Sequence, residues 1–283
     1  MKAVSWNCRG LGSPRVVRGL ARLLKTENPQ LVFLMETRLK KDEMLKLKLK
    51  FNFAFDLVVE CRGSGRDRAE GLCLWWNEGT DISIQSSSPN HIAGICQQED
   101  DDEPWFFAGV YGYPEEARKK DTWNLIQAIT TESGNNMILF GDINDILCDS
   151  DKRGGNMRSD SQMNWGRSIM DICELQEVRF EGYPFTWTNG RAGNQNIQCR
   201  LDRSLCSTSF LHNFPLTKVH QLERFGSDHA ALRILIQKEP DNERRSYLFR
   251  FEEAWSKESS CSELVNQLWK RDPGNFQQQV RAM

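Results

Sequence analysis

Polar residues with the equipment for phosphate chemistry stand where apolar runs stop. Five such runs end in Asn7, Glu36, Tyr111, Asp142 with Asn144, and Asp228 with His229, and Asp202 in Arg200-Leu201-Asp202-Arg203 is a sixth candidate. Several carboxylates, a single well-placed histidine and no cysteine pair make an oxygen-rich donor set that suits Mg2+ or Mn2+ better than zinc. Amide, imidazole and phenol groups can donate to phosphate oxygens. Together they are the groups that metal-assisted phosphodiester hydrolysis requires.

Taken singly, each residue also has a plain structural reading. Glu36 is an ordinary surface carboxylate after a strand, and Asn7 holds a turn. Asp142 and Asn144, at i and i+2 in Gly-Asp-x-Asn, make a turn closed by its own side chains. Tyr111 is core or rim, His229 is structural, and Asp202 pairs with a neighbouring arginine. The combination, not any one member, points to catalysis.

The surrounding pattern predicts the elements that would carry these groups. Residues 2–6 read as a strand. Ser13-Pro14 starts a helix through Val16, Val17, Leu20, Leu23 and Leu24. Residues 31–36 (LVFLME) read as a buried strand, followed by a Lys/Leu-rich helix over 39–49. Strands are expected at 53–59, 71–76, 81–85, 91–96 and 105–111, with an acidic loop at 99–103. A helix over 118–131 uses Trp123, Leu125, Ile126 and Ile129, and strand 137–140 leads into Gly141-Asp142. A helix at 160–174 precedes strands at 185–188, 197–202, 216–222 and 230–236. Helices alternate with several consecutive strands, which predicts a layered α/β fold with mixed sheets. Polar groups at strand ends on one sheet rim are where such folds build sites.

Composition narrows the class less sharply. The chain has 283 residues, a net charge of −2 and a pI near 6.2. A nucleic-acid partner then needs a local basic face, because the overall charge offers none. Nine cysteines without regular spacing argue against a disulfide framework or a zinc site and for an intracellular compartment. MKAVSWNCRG has no apolar leader core, and no run approaches the roughly 20 residues that cross a bilayer, so no membrane partner is expected. Composition turns polar at EPDNERRS. The sequence therefore divides into a catalytic domain over 1–238 and a polar linker and tail over 239–283, with a short helix expected around Trp255–Trp269.

Six segments, in order, resemble the motifs of the endonuclease/exonuclease/phosphatase superfamily. They are Trp6-Asn7-Cys8-Arg9-Gly10, Glu36-Thr37-Arg38, Val110-Tyr111-Gly112-Tyr113-Pro114, Gly141-Asp142-Ile143-Asn144, Arg200-Leu201-Asp202-Arg203 and Ser227-Asp228-His229. The stretch from Lys152-Arg153-Gly154-Gly155 through Phe185-Thr186-Trp187-Thr188-Asn189 to Arg203 is most similar to the endonuclease domain of plant non-LTR (LINE-type) retrotransposons. Phe249-Arg250-Phe251-Glu252 resembles the segment between that domain and the reverse transcriptase, and no polymerase motif is reached, as in a truncated element or a gene product derived from one. Two departures stand out. Ile143 replaces the usual phenylalanine, a tolerable core swap, and Tyr111 and Tyr113 compete for one role, with Tyr111 favoured.

The resemblance implies a four-layer, DNase I-like α/β sandwich and a Mg2+-dependent enzyme that nicks DNA to a 3′-hydroxyl and a 5′-phosphate. It implies that Glu36 is the main metal ligand, supported by Asn7 and Asp228. Asp142 would deprotonate water, Asn144 and Tyr111 would hold the phosphate, and His229 would donate to it with its tautomer fixed by Asp202. Arg9, Arg38, Arg153 and Arg191 are candidate phosphate contacts, and Trp187 is a candidate base or sugar contact or a core residue. DNA implies nuclear action. The competing readings are a phosphoesterase of the same fold for RNA, inositol phosphate or phospholipid, and a catalytically silent nucleic-acid-binding remnant.

Overall fold

The computed structural model describes residues 1–97 and 103–239. In chain order the elements are β1 (Lys2–Asn7), α1 (Pro14–Glu27), β2 (Leu31–Met35), α2 (Lys41–Phe51), β3 (Phe55–Val59), β4 (Leu72–Trp76), β5 (Asp81–Ser88), β6 (His91–Gln97) and β7 (Trp105–Tyr111). Then come α3 (Lys119–Ser133), β8 (Met137–Asp142), β9 (Lys152–Arg153), α4 (Asp160–Ile172), β10 (Leu175–Glu177), β11 (Phe180–Glu181) and β12 (Trp187–Thr188). The last are β13 (Gln198–Cys199), β14 (Asp202–Ser207), α5 (Thr208–Asn213), β15 (Lys218–Gln221) and β16 (Leu232–Leu235).

Two large mixed sheets result. One has the order β11-β15-β16-β1-β2-β4-β3, the other β10-β14-β8-β7-β6-β5, and a small third sheet is β12-β13-β9. β1 runs parallel to β2 and β7 parallel to β8, while most other pairs are antiparallel. Burial explains the layering. Alternate residues of each strand point to opposite faces. Leu31, Phe33 and Met35 of β2 join Phe107, Ile138 and Phe140 of the other sheet in one apolar cluster. Val32 and Leu34 face the other way and pack with Leu20 and Leu23 of α1. Leu139 and Val110 likewise pack with Trp123, Ile126 and Ile169 of α3 and α4. Each sheet is thus buried on both faces, which is why its central strands read as unbroken apolar runs. The order helix, sheet, sheet, helix is the expected four-layer sandwich.

The inner-face rows explain where polar residues can gather. Four of them run Ala3-Ser5-Asn7, Phe107-Gly109-Tyr111, Ile138-Phe140-Asp142 and Cys206-Ser204-Asp202. Apolar or small residues fill each row and a polar one ends it. Asp142 lies directly opposite Asp202 across the β8–β14 pair.

Several expectations need correction. The strand expected at 197–202 is two strands, β13 and β14, broken at Arg200-Leu201. Asp202 therefore begins a strand instead of ending one, and antiparallel pairing still delivers it to the same rim as Asp142. Asp228 and His229 likewise precede β16, which pairs antiparallel with β1. β9, β10, β11 and α5 are additions to the expected elements; α5 is capped by Ser207, whose Oγ accepts from Phe210 N at 3.2 Å. Most of the acidic run at 99–103, and the tail helix expected around Trp255–Trp269, lie outside the described residues.

Candidate active site

The rows end in a cleft of about 630 Å3 whose lining includes Glu36, Tyr111, Asn144, Trp187, Asp228 and His229. Parallel β1 and β2 exit side by side. Their exits are tied by Cys8 N donating to Met35 O at 3.0 Å and Leu11 N to Thr37 O at 3.0 Å. Arg9, Glu36 and Arg38 then take left-handed backbone, with φ of 51°, 50° and 55°. Such non-glycine conformations cost energy and persist where the surroundings impose them.

Asn7 links the two sheets. Its Nδ2 donates to Glu36 Oε1 at 3.0 Å and to Asp142 Oδ2 at 2.9 Å. Tyr111 Oη donates to the same Glu36 Oε1 at 3.1 Å, and Arg38 Nη2 to Oε2 at 2.7 Å. Burial alone would raise the Glu36 pKa, but the Asn7 and Arg38 hydrogen bonds outweigh it and hold the group below the usual value. Burial and the Glu36 charge raise Tyr111, which stays a hydroxyl donor. Tyr113, its competitor, instead lies beneath the Arg118 guanidinium, 3.5 Å from the ring centroid.

On the other side His229 Nδ1 donates to Asp202 Oδ2 at 2.8 Å, and Nε2 lies 3.6 Å from Asp142 Oδ2. His229, Asp142 and Asp202 are all buried. Burial disfavours the imidazolium, yet Asp202 and then Asp142 overcome it and push the His229 pKa up to about 9. Burial likewise raises Asp142, with His229 opposing and Asp202 reinforcing the shift. A buried carboxylate of raised basicity beside a protonated imidazole is a matched base and acid. The arginines flanking Asp202 do not pair with it: Arg200 and Arg203 reach Glu177 at 2.7 and 3.0 Å.

Asp228 Oδ2 accepts from the Trp187 indole at 2.9 Å and from Arg9. Trp187 therefore holds a carboxylate, a role its motif did not announce. Thr186 Oγ1 accepts from Leu201 N and Asp202 N, both at 3.0 Å, fixing the start of β14. Ser227 Oγ donates to Asn7 O at 2.8 Å and accepts from His229 N at 3.1 Å. Asn144 donates its backbone N–H to Asp142 Oδ1 at 2.9 Å and its amide to Gly112 O at 2.9 Å. Arg153 lies over Phe185, 5.2 Å from the ring centroid, and Arg191 is exposed; neither is among the residues lining the cleft. The cleft does include cations outside the motifs, among them Arg62, Lys119 and Arg158, and Lys152 at the start of the retroelement-like stretch.

Among the described residues, Asp142, Asp202 and His229 form the cluster whose ligand atoms lie within 4.8 Å of one another. Its imidazole is bonded to Asp202 and keeps its proton up to about 9, so it is a poor cation ligand. Glu36, Asp228 and the Asn7 amide oxygen are all-oxygen donors, and Glu36 is readily ionised, which fits a hard divalent cation.

Comparison with known proteins gives the family and the fold. The model of the Endonuclease/Exonuclease/phosphatase family matches residues 4–229. The endonuclease domain of TRAS1, a telomere-specific non-LTR retrotransposon, superposes with a TM-score of 0.61 at 14% identity, covering 84% of this chain and 99% of that one. The 3′-5′ exonuclease NExo from Neisseria meningitidis gives 0.61 at 19% identity, covering 84% and 100%. An AP endonuclease from Archaeoglobus fulgidus gives 0.62 at 12% identity, covering 83% and 99%. At these identities the likeness is one of fold. A sequence comparison with curated proteins found no match.

Proposed function

The chain belongs to the endonuclease/exonuclease/phosphatase family, and we propose that it is a divalent-metal-dependent nuclease that nicks DNA. The observation that carries this reading is the meeting of the Glu36–Asn7–Asp142 chain with the Asp202–His229 pair at one end of the sandwich. Mg2+, or Mn2+ in its place, held through Glu36, Asn7 and Asp228, would supply charge stabilisation for the phosphate in the transition state.

The chain's own residues do the rest. Asp142, made more basic by burial, takes a proton from the attacking water. His229, kept protonated by Asp202, donates to a phosphate oxygen. Asn144 has one amide hydrogen on Gly112 and offers the other to the phosphate. The Tyr111 hydroxyl orients Glu36 and faces the same space. Attack at phosphorus forms the bond to the water oxygen and breaks the bond to O3′, which takes a proton from solvent, leaving a 3′-hydroxyl and a 5′-phosphate.

Two features support DNA as the substrate, the first common to any polyanionic phosphate ester and the second specific to the retroelement resemblance. Cations from separate segments of the chain line the cleft, including Arg9, Arg38 and Lys152. The retroelement-like stretch from Lys152 to Arg203 supplies Lys152, Trp187, Cys199 and Leu201 to that lining. A retrotransposon-derived enzyme of this kind would work in the nucleus, with residues 1–238 sufficient for cleavage.

The test is relaxation of supercoiled plasmid by the full chain and by residues 1–238. Nicked circles are expected with Mg2+ and not with a chelator, and His229→Ala should lower the rate on the order of 10²- to 10³-fold. A wild type that leaves plasmid intact with Mg2+, or a His229→Ala protein of full activity, overturns the reading.

A further inference from the structure

Lys119 belongs to none of the motifs, yet it is half-buried in the wall of the cleft. Its ammonium donates to the carbonyl of Tyr113 at 3.2 Å and to the carbonyl of Asn144. These carbonyls lie on different loops, one after β7 and one after β8. Thr122 and Trp123 lie on the same face of α3, three and four residues on. Thr122 Oγ1 accepts from Tyr113 N at 2.9 Å, and the Trp123 indole donates to Asp145 Oδ2 at 2.8 Å. The first turns of α3 therefore grip both loops.

The grip matters because the loops have little freedom to compensate. A Cβ on Gly112 would come 2.1 Å from Ile143 O, so the two backbones already touch. Asn144 sits at φ 56°, in the left-handed region, and its carbonyl is the one Lys119 holds. Burial lowers the Lys119 pKa while Asp145 and Asp142 favour the charged form. The two carbonyl hydrogen bonds and the nearby carboxylates offset the desolvation of the ammonium.

We propose that Lys119 is a positioning residue that fixes the turn presenting the Asn144 amide to the scissile phosphate. This rests on the phosphate-holding role proposed for Asn144. Removing the ammonium lets that turn relax, and displacements near 1 Å are enough to cost turnover.

The experiment compares wild type, Lys119→Met, Asn144→Ala and the double variant. Lys119→Met should lower kcat about 10- to 100-fold while KM for plasmid stays within about threefold. The double variant should be no slower than Asn144→Ala alone, because both changes remove one function. Hydrogen exchange should accelerate in Lys119→Met at residues 142–146 and not in the strand interior of β8. Losses that multiply in the double variant would show that Lys119 acts independently of Asn144, and unaltered kcat or unaltered exchange would equally overturn the proposal. If wild type fails to nick, the nuclease reading falls, and the exchange measurement alone still decides whether Lys119 holds the turn.

Discussion

The deep and outer halves of the cleft keep carboxylates in different company. Asp142 and Asp202 are buried and share one imidazole, while Glu36 and Asp228 are each 17% exposed by side chain and each accepts from an arginine. The deep half is the less exposed, and its two carboxylates are balanced by a proton on His229, whose ring they hold charged. The outer half is neutralised by guanidinium groups that a cation or a phosphate can replace. Under the proposed function, depth then separates proton transfer from charge exchange, although all four groups are carboxylates at one rim of the sandwich.

The largest effect should come from the deep half. Asp142→Asn preserves shape and removes the base, and kcat should fall on the order of 10³-fold or more with folding retained. A loss below about tenfold, in a protein with normal circular dichroism, would break the assignment of proton transfer to this half.

Asp202→Asn should cost less, on the order of 10²-fold in kcat, because it acts through His229. It also sharpens the comparison by its pH signature. His229 must be protonated to donate, so wild-type nicking should be lost as pH rises through about 9. Asp202 is the strongest of the charges raising that value, so the alkaline limb should move to lower pH in the variant. Asp142 must be deprotonated, so the acid limb should appear as pH falls through its raised pKa. A pH–rate profile with an unmoved alkaline limb would leave Asp202 as scaffolding.

The smallest effect belongs to the rim. Arg9→Gln and Arg38→Gln should each weaken DNA binding several-fold and reduce the slope of log K against log salt by about 1. Fluorescence anisotropy across a salt series measures both. A salt slope that does not change would show that these arginines serve only their carboxylates.

The legibility of this molecule follows the same depth. Asn7, Glu36, Tyr111 and Asp142 can be placed from sequence because each closes an apolar run whose two faces are both buried. Asp202 is harder: its strand reads DRSLCS, and the buried polar residues Arg203 and Ser204 conceal the period-two pattern. The pairing of Trp187 with Asp228, 41 residues apart, leaves no local trace. Lys119 is invisible for another reason. In ARKKD at a helix start, a lysine reads as a solvated charge, and only the approach of two loops from elsewhere makes it a bridge. The departure at Ile143 is legible as a core swap, and that residue is fully buried in the cluster under α3.

The Asn7 amide reaches a carboxylate 135 positions away, and Ser227 reaches back 220 positions to the Asn7 carbonyl. No fragment that forms early can hold two walls of this cleft, so the unfolded chain offers an occupant nothing comparable. Any cation or nucleic acid that binds here binds the folded chain alone, and its binding energy becomes stability of the whole sandwich. At a free concentration about a hundred times its Kd, such an occupant would add about 2.7 kcal/mol to the unfolding free energy. The most informative thermometer of occupancy is therefore the melting of the two sheets.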